Sequence, residues 1–331
     1  MVKSGWQKLI VVVLIFIGIA SAVNWIAQRT GDSGSEEKPM ITKNAILHME
    51  LDSPIWNGKR FLKNLKKYRE DDKIKAILIE INSPGGAVGP SQELFSEIKR
   101  TKEEFKKPII CVSTGLIASG AYYAAAACDK LVVSSGALVG SIGVIMEFAN
   151  LERLYDWAKV SRYSITSGKF KDSGAEYRSM REDERALFQE MIDEVYLQFR
   201  TAVQESRKLS EEKMKEYADG RVFTGAKAVE VGFADSVGGF EDAVKIAAEA
   251  AGLEKDDYDV MEIPKKKRSI WDLGQPNDDD NVNSMNSRMS TADVVLQQLG
   301  GAKVSLSDMR KLMGVQNLNQ PLYLMPGYWQ E

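Results

Sequence analysis

The chain has several serines in glycine-rich surroundings but a single histidine, His48, among 331 residues. A Ser-His-Asp triad needs an imidazole beside the nucleophile. His48 lies inside an apolar, strand-like run (AILHMEL, 45–51), which favours a structural role within a sheet. A catalytic serine in this chain would therefore need another base, and lysine takes that place in Ser-Lys variants of the triad. A lysine accepts a proton only when its amine is neutral, which requires partial desolvation.

Two serines lie in glycine-flanked segments beside predicted strands. Ser119 (ASGAYY, 118–123) follows a predicted strand at 108–113 and begins an alanine-rich helix, whose N-terminus favours developing negative charge. Ser141 (GSIGV, 140–144) lies near another predicted strand. A nucleophile fits the first position, but a serine at the start of a helix is also an ordinary N-cap residue. The residues alone leave both interpretations open.

A glycine pair and a lysine pair complete the candidate chemistry. The segment INSPGG (81–86) follows a β-branched strand at 74–81 and precedes a helix. Bare glycine backbone lets N–H groups approach an anion, although a simple strand-to-helix turn explains the pattern equally well. Lys169 and Lys171 lie in SGKFKD (167–172), where solvated surface charges would be equally ordinary.

Taken together, these four segments and DGRVFTGAKAVEVGFAD (219–235) resemble the signal peptide peptidase A family. Members of this family are membrane-anchored Ser-Lys proteases related in fold to caseinolytic protease and crotonase. The order and spacing of the segments match across residues 44–252. The resemblance implies that Ser119 is the nucleophile, Lys171 the general base, Ser141 the residue that orients the lysine, and Gly86 and Gly120 the N–H donors of the oxyanion hole.

Two departures from the family pattern concern the shape of the pocket rather than the nucleophile. Ala121 stands where the family usually has a second glycine, and Val139 stands where threonine is common.

The general base, Lys171, must have a strongly lowered pKa to work in this mechanism. A free lysine titrates near 10.4, so the pKa of a base working near pH 8 must fall by roughly 2–3 units. Burial against Phe170 or neighbouring core residues is the expected cause. Because consecutive side chains in extended chain point to opposite faces, Asp172 is expected to point away from Lys171 and to make structural hydrogen bonds. Lys169 is the rival base, since it can share the face of Lys171.

Alternating strand and helix patterns predict an α/β fold, with parallel strands, crossover helices and the caseinolytic protease/crotonase-like architecture that the resemblance implies. Lys and Arg number 44 and Asp and Glu 47, a balance that argues against a nucleic-acid-binding protein. One histidine and two cysteines exclude a multi-cysteine zinc site, and no metal or other cofactor is expected. Cys111 and Cys128 lie in apolar settings and are interpreted as buried thiols rather than a disulfide.

The N-terminus carries a membrane signal. Residues 9–27 (LIVVVLIFIGIASAVNWIA) are uncharged and long enough to span a bilayer, and Lys3 and Lys8 precede them. The predicted organisation is a transmembrane anchor (1–28), a linker (29–43), a protease domain (44–263), and a linker with a C-terminal tail (264–331). The positive-inside rule keeps the N-terminus cytoplasmic and exports the catalytic domain. A cleaved signal peptide, ending near Ala20-Ser21-Ala22, is the alternative.

The expected function is that of a cell-membrane serine endopeptidase that degrades cleaved signal peptides. A related membrane protease acting in quality control of exported or membrane proteins is the alternative. A crotonase-type acyl-CoA enzyme and a non-catalytic membrane scaffold are further rivals. The expected partners are peptide substrates, the lipid bilayer and further copies of the chain, because the resemblance implies rings in which neighbouring subunits supply the serine and the lysine of one site.

Overall fold

A computed structural model describes residues 43–255 and 257–263, together with the backbone of residues 322–324. The strands of this part of the chain are β1 (Asn44–Asp52), β2 (Ile74–Asn82), β3 (Gly85–Ala87), β4 (Ile109–Ser113), β5 (Leu116–Ala118), β6 (Lys130–Val133), β7 (Leu138–Gly140), β8 (Val222–Thr224), β9 (Ser236–Val237), β10 (Tyr258–Glu262) and β11 (Leu322–Leu324). The helices are α1 (Lys59–Tyr68), α2 (Val88–Phe105), α3 (Gly120–Ala125), α4 (Glu152–Trp157), α5 (Glu182–Arg207), α6 (Glu211–Tyr217), α7 (Gly225–Val231) and α8 (Phe240–Ala250).

The core is a six-stranded sheet in the order β10-β1-β2-β4-β6-β9, in which every pair of neighbours is parallel. The β-branched run of β2 lies near its middle and is buried on both faces, as a central parallel strand requires. One face packs against α8, whose small residues Ala243 and Ala247 let the helix lie close to Ile46, Leu78 and Ile110. This architecture fits the predicted caseinolytic protease-like fold.

Two smaller sheets lie at the carboxyl ends of β2 and β4, where the candidate chemistry is concentrated. The first pairs β3 with β11 in antiparallel fashion, with Tyr323 opposite Gly86. The second has the order β5-β7-β8, with β7 parallel to β5 and antiparallel to β8. Ligands in α/β proteins bind at the carboxyl edge of the parallel strands, so these short strands position the site.

The structure confirms the longer helices and strands that the sequence predicts among the described residues, but it does not confirm the strand predicted within the segment 156–166. The sequence predicts that it runs from a helix end into a strand, but α4 ends at Trp157 and the following residues pair with no strand in the described part of the chain. Tyr163 and Ile165 alternate with polar residues, which is compatible with a strand, yet a strand needs a neighbour to accept its hydrogen bonds.

The interpretation of the two cysteines as separate thiols is also wrong in this structure, which joins Cys111 to Cys128 in a disulfide. The cause is topological. Because β6 runs beside β4 with Leu131 opposite Cys111, the residue three positions before Leu131 returns to within 6.0 Å of Cys111, measured between the Cα atoms.

The predicted membrane anchor, residues 9–27, lies outside the described residues. Among the helices that are described, none combines the length and the apolar composition that crossing a bilayer requires. The predicted limits of the linkers, the protease domain and the tail stay predictions.

Candidate active site

Ser119 occupies a strained turn between β5 and α3. Its backbone angles are φ 53° and ψ −121°, a conformation that residues other than glycine rarely adopt. Two hydrogen bonds hold it there: the Ser119 N–H donates to the Gly140 carbonyl at 2.7 Å, and the Ser119 carbonyl accepts from the Tyr123 N–H at 2.8 Å. A strained strand-to-helix turn of this kind presents a nucleophilic serine at the edge of an α/β sheet.

The side chain of Ser119 does not cap the helix that follows it. Within the described residues, its hydroxyl accepts no hydrogen bond from the first turn of α3, which removes the ordinary N-cap interpretation. The six residues of α3 are all buried, and Gly120 is the first of them. The N–H of a first helical residue has no acceptor within its own helix, so the Gly120 amide is suited to the predicted role of oxyanion donor.

Gly86 lies in β3, pressed against the backbone of Ile55. A Cβ atom on Gly86 would stand 2.2 Å from the Ile55 carbonyl oxygen, so no side chain fits there. The Ile55 N–H donates to Gly85, and the Ile55 carbonyl accepts from the Ala87 N–H, both at 2.8 Å. Because the polar groups of successive strand residues alternate in direction, the N–H and C=O of Gly86 itself face the opposite edge, where Tyr323 of β11 is its partner.

Ser83 connects this glycine strand to the nucleophile. The Ser83 N–H donates to the Leu116 carbonyl at 2.8 Å, and the Ala118 N–H donates to the Ser83 carbonyl at 3.1 Å, so the residue before Ser119 is bonded directly to the INSPGG segment. The Ser83 hydroxyl donates to the Ser53 carbonyl at 2.7 Å and accepts from the Gly85 N–H at 3.2 Å. Sequence analysis did not identify this connecting role of Ser83.

Ser141 directly follows β7, and the preceding residue, Gly140, is the one whose carbonyl accepts the Ser119 N–H. Ser141 is buried and has φ 52°, and its own N–H donates to the Arg221 carbonyl at 2.8 Å. The preceding Gly140 has φ 109°, and a Cβ there would lie 2.9 Å from the Phe223 ring. The structure therefore brings the segments of Gly86, Ser119 and Ser141 together through backbone hydrogen bonds.

Lys171 is not part of this assembly within one chain. Its side chain is exposed, and no hydrogen bond joins it to Ser119 or Ser141 among the described residues. The expected burial against Phe170 is absent, since that ring is itself 41% exposed. A single chain thus supplies the predicted nucleophile, the oxyanion donors and the orienting serine, and leaves the predicted base in solvent.

Asp172 makes the structural hydrogen bonds that the sequence predicts, and the rival base Lys169 has a partner that the sequence analysis did not foresee. The carboxylate of Asp172 contacts Arg178 at 3.0 Å and Arg181 at 3.6 Å, and the Arg178 hydrogen bond holds the pKa of Asp172 below its ordinary value. The rival amine of Lys169 pairs with Asp183 at 2.8 Å.

His48 has the predicted structural role. Its Nε2 lies 3.1 Å from the Glu80 carboxylate on the neighbouring strand, and its ring meets the edge of Phe240. Within the described residues, no three His, Cys, Asp or Glu side chains are grouped so that they could hold a metal ion.

Comparisons with known proteins identify relatives over most of the described part of the chain. Residues 101–254 match the family profile described as peptidase family S49. A protein from Synechocystis sp. named "Putative protease slr0021" is 40% identical over 228 residues, which cover 68% of this chain and 81% of the relative. A protein from Enterococcus faecium named "Putative signal peptide peptidase SppA" is 32% identical over 67% of this chain and 66% of the relative. The chloroplastic serine protease SPPA of Arabidopsis thaliana is 34% identical over 65% of this chain but only 32% of its own length.

Proposed function

Because the chain belongs to peptidase family S49, the signal peptide peptidase A family of proteases, we propose that it is a serine endopeptidase with Ser119 as its nucleophile. One observation carries this proposal. The strained Ser119 turn is hydrogen-bonded on one side to the Gly86 strand, through Ser83, and on the other side to the Ser141 segment, through Gly140.

The proposed mechanism combines these positions with the role that the family resemblance gives to Lys171. The Ser119 hydroxyl attacks the peptide carbonyl while Lys171 accepts its proton. Negative charge then develops on the carbonyl oxygen, and the N–H groups of Gly86 and Gly120 stabilise it; one such donor is typically worth about 3–4 kcal/mol. Lys171 returns the proton to the leaving amine and next activates the water that releases the acyl-enzyme. Ser141 orients the lysine amine during both steps.

The edge of β3 suits an extended peptide. It already accepts an antiparallel strand, β11, which supports a mode of binding in which the substrate backbone pairs with Gly85–Ala87. A peptide aligned in this way would carry its carbonyl past the Gly86 N–H. Trp56 and Ile145 pack against Ala87 and would meet the apolar side chains of the substrate.

The base is supplied by a second copy of the chain in this proposal. Lys171 is exposed within one chain, as are Trp157, Tyr163 and Ile165, at 80%, 79% and 95%. Exposed apolar side chains of this size are typical of a protein interface. Assembly through this segment would cover Lys171 and supply the desolvation that a neutral amine requires.

The location and the substrate class rest on the N-terminal sequence. An anchor at residues 9–27 would hold the catalytic domain at the outer face of the cell membrane, where cleaved signal peptides are released. Such peptides are rich in apolar residues, which fits the apolar surroundings of β3. Degradation of these peptides is the function that we propose.

Three single variants test the proposal. Peptide hydrolysis by the full-length chain in detergent is measured from pH 6 to 10 for Ser119→Ala, Lys171→Ala and Lys169→Ala. The first two should lower kcat at least about 10³-fold, and Ser119→Ala should also abolish labelling by a sulfonyl fluoride. Lys169→Ala is the matched control for the base. Near-normal turnover of Lys171→Ala, together with loss of activity in Lys169→Ala, would reverse the assignment of the base.

A further inference from the structure

An ion-pair network lies between the Lys171 loop and the first turn of α5, and the reaction described above gives it no role. At its centre is Glu184, whose side chain is fully buried. Arg178 donates two hydrogen bonds to its carboxylate, at 2.9 and 2.6 Å, and Arg181 contacts it at 2.7 Å. These bonds lower the pKa of Glu184 to about 2. A buried carboxylate needs such partners, since an unpaired one would be costly.

Both guanidinium groups also bind the loop, on either side of the predicted base. Arg178 donates to the main-chain carbonyl of Asp172 at 3.0 Å, directly after Lys171. Arg181 donates to the main-chain carbonyl of Lys169 at 2.8 Å, two residues before it. The Lys171 N–H closes a turn to the Gly168 carbonyl at 3.1 Å. The backbone that carries Lys171 is therefore fixed from both directions by arginines that Glu184 holds in place.

The same network pairs the charges nearest to Lys171 with one another. Asp172 is bound to Arg178, and Lys169 is bound to Asp183. Within the network the acids Asp172, Asp183 and Glu184 balance the bases Lys169, Arg178 and Arg181. The remaining charged pair described on this segment, Arg162 with Glu176, involves none of these groups.

We propose that Arg178, held by the buried Glu184, is a positioning residue for Lys171: it fixes the backbone of the base and keeps the adjacent Asp172 carboxylate from pairing with the base's amine. This inference rests on the proposed function, in which Lys171 is the base. An unpaired carboxylate beside the amine would stabilise the ammonium form and so oppose proton transfer from Ser119.

The loop has a second anchor, so variants of the network are expected to fold. Gly174 has φ 75° and lies so close to the Phe148 ring that a Cβ atom would stand 2.5 Å from it. Phe148 in turn packs on Phe188 of α5, with 4.6 Å between the ring centroids. This apolar contact is independent of the ion pairs.

The decisive comparison is Arg178→Gln against Arg178→Gln/Asp172→Asn, with the full-length chain and a peptide substrate. Arg178→Gln removes the partner at 3.0 Å and leaves Asp172 only the longer contact to Arg181 at 3.6 Å, so the acidic limb of the kcat profile should move to higher pH by about one unit. We expect kcat at pH 8 to fall about 10²-fold, the loss caused by a group misplaced by about 1 Å, with KM within about twofold. The double variant also lacks the Asp172 carboxylate, so the acidic limb of its kcat profile should return to the wild-type pH. Its kcat should stay partly reduced, because the backbone of Lys171 has still lost the Arg178 hydrogen bond.

Arg200→Gln is the matched control, because Arg200 of α5 also pairs with a carboxylate, that of Glu211 in α6 at 2.5 Å, and lies far from the loop in sequence. It should leave kcat and the pH profile unchanged. Glu184→Gln should lower kcat and leave KM unchanged. Circular dichroism and size-exclusion chromatography establish that each variant is folded and assembled. Should Glu184→Gln not fold, the Arg178 variants alone test the inference.

Two results would overturn the inference. One is a folded Arg178→Gln chain with wild-type kcat and a wild-type acidic limb. The other is a double variant whose limb stays at the shifted pH of Arg178→Gln. Wild-type turnover in Lys171→Ala would instead overturn the proposed base, and wild-type turnover in Ser119→Ala would overturn the proposed function, so these failures are distinguishable from that of the inference.

Discussion

At the scale of single residues, the site depends on backbone conformations that cost energy. Ser119 and Ser141 both have positive φ angles, and each such residue costs of order 1–3 kcal/mol. Backbone hydrogen bonds to Gly140 and Arg221 hold the two serines in these conformations. Strain of this kind persists at functional sites because the surrounding structure over-determines it, which agrees with a catalytic role for the Ser119 turn.

Gly86 gives the prediction at this scale. In Gly86→Ala the new Cβ would collide with the Ile55 carbonyl, so β3 must shift away and carry the proposed oxyanion donor with it. We expect kcat for peptide hydrolysis to fall about 10²–10³-fold, as on loss of one oxyanion donor.

Gly89→Ala is the control, because nothing lies within 4 Å of its Cβ position and it is exposed in α2. Its kcat and melting temperature should equal or exceed those of the wild-type chain, since alanine favours a helix. Equal kcat values for Gly86→Ala and Gly89→Ala would contradict the oxyanion role of Gly86.

At the scale of elements, the short strand β3 has two different edges. One edge is bonded to Ile55, within the chain's own core, and the other pairs with β11 near the C-terminus. The second edge is the one that the proposed substrate would use. In that proposal the C-terminal strand and the substrate backbone would compete for the same polar groups of Gly86.

A truncation tests this competition. A chain that ends at Asn319 lacks β11, whereas a chain that ends at Gly327 keeps it. We expect the shorter chain to hydrolyse a peptide with a KM at least about threefold lower, because a competing strand no longer reduces the fraction of free sites. Steady-state kinetics at pH 8 measure the difference, and identical KM values for the two chains would show that β11 does not occupy the substrate edge.

At the scale of the whole molecule, one chain leaves the proposed site incomplete. Lys171 and the segment around Trp157, Tyr163 and Ile165 are exposed, and residues 158–166 pair with no strand in the described part of the chain. A neighbouring copy that packs on this segment would bury these apolar side chains and bring a lysine to a serine. Activity would then belong to the assembly rather than to the monomer.

Mixing two inactive chains tests this proposal. Ser119→Ala keeps the lysine and Lys171→Ala keeps the serine, so a site formed between them is complete. After random reassembly of equal amounts, about a quarter of the sites should contain both groups, and a matching fraction of wild-type turnover should return. The same chains mixed without reassembly serve as the control, and no recovery after subunit exchange would mean that each chain supplies both groups.

The sequence by itself determined the central strands β1, β2 and β4 of the main sheet and the identity of the candidate residues. The β-branched run of β2 and the helix Lys59–Tyr68 are encoded by local hydrophobic patterns, and such patterns survive in any sequence that buries the same faces. The single histidine, which lies in a strand-like run, likewise indicates from the sequence alone that a catalytic serine such as Ser119 would need a base other than histidine. Local patterns, however, contain no information about which distant segments meet.

Only the tertiary structure decided how the site is assembled. The bonds from Ser83 to β5, the contact of Gly86 with Ile55 and the capture of Asp172 by Arg178 are set by side-chain and backbone geometry that no spacing reveals. The strand predicted within 156–166 is absent for a tertiary reason too, because a strand exists only where a partner accepts its hydrogen bonds. The exposed position of Lys171 likewise became visible only once the chain was folded.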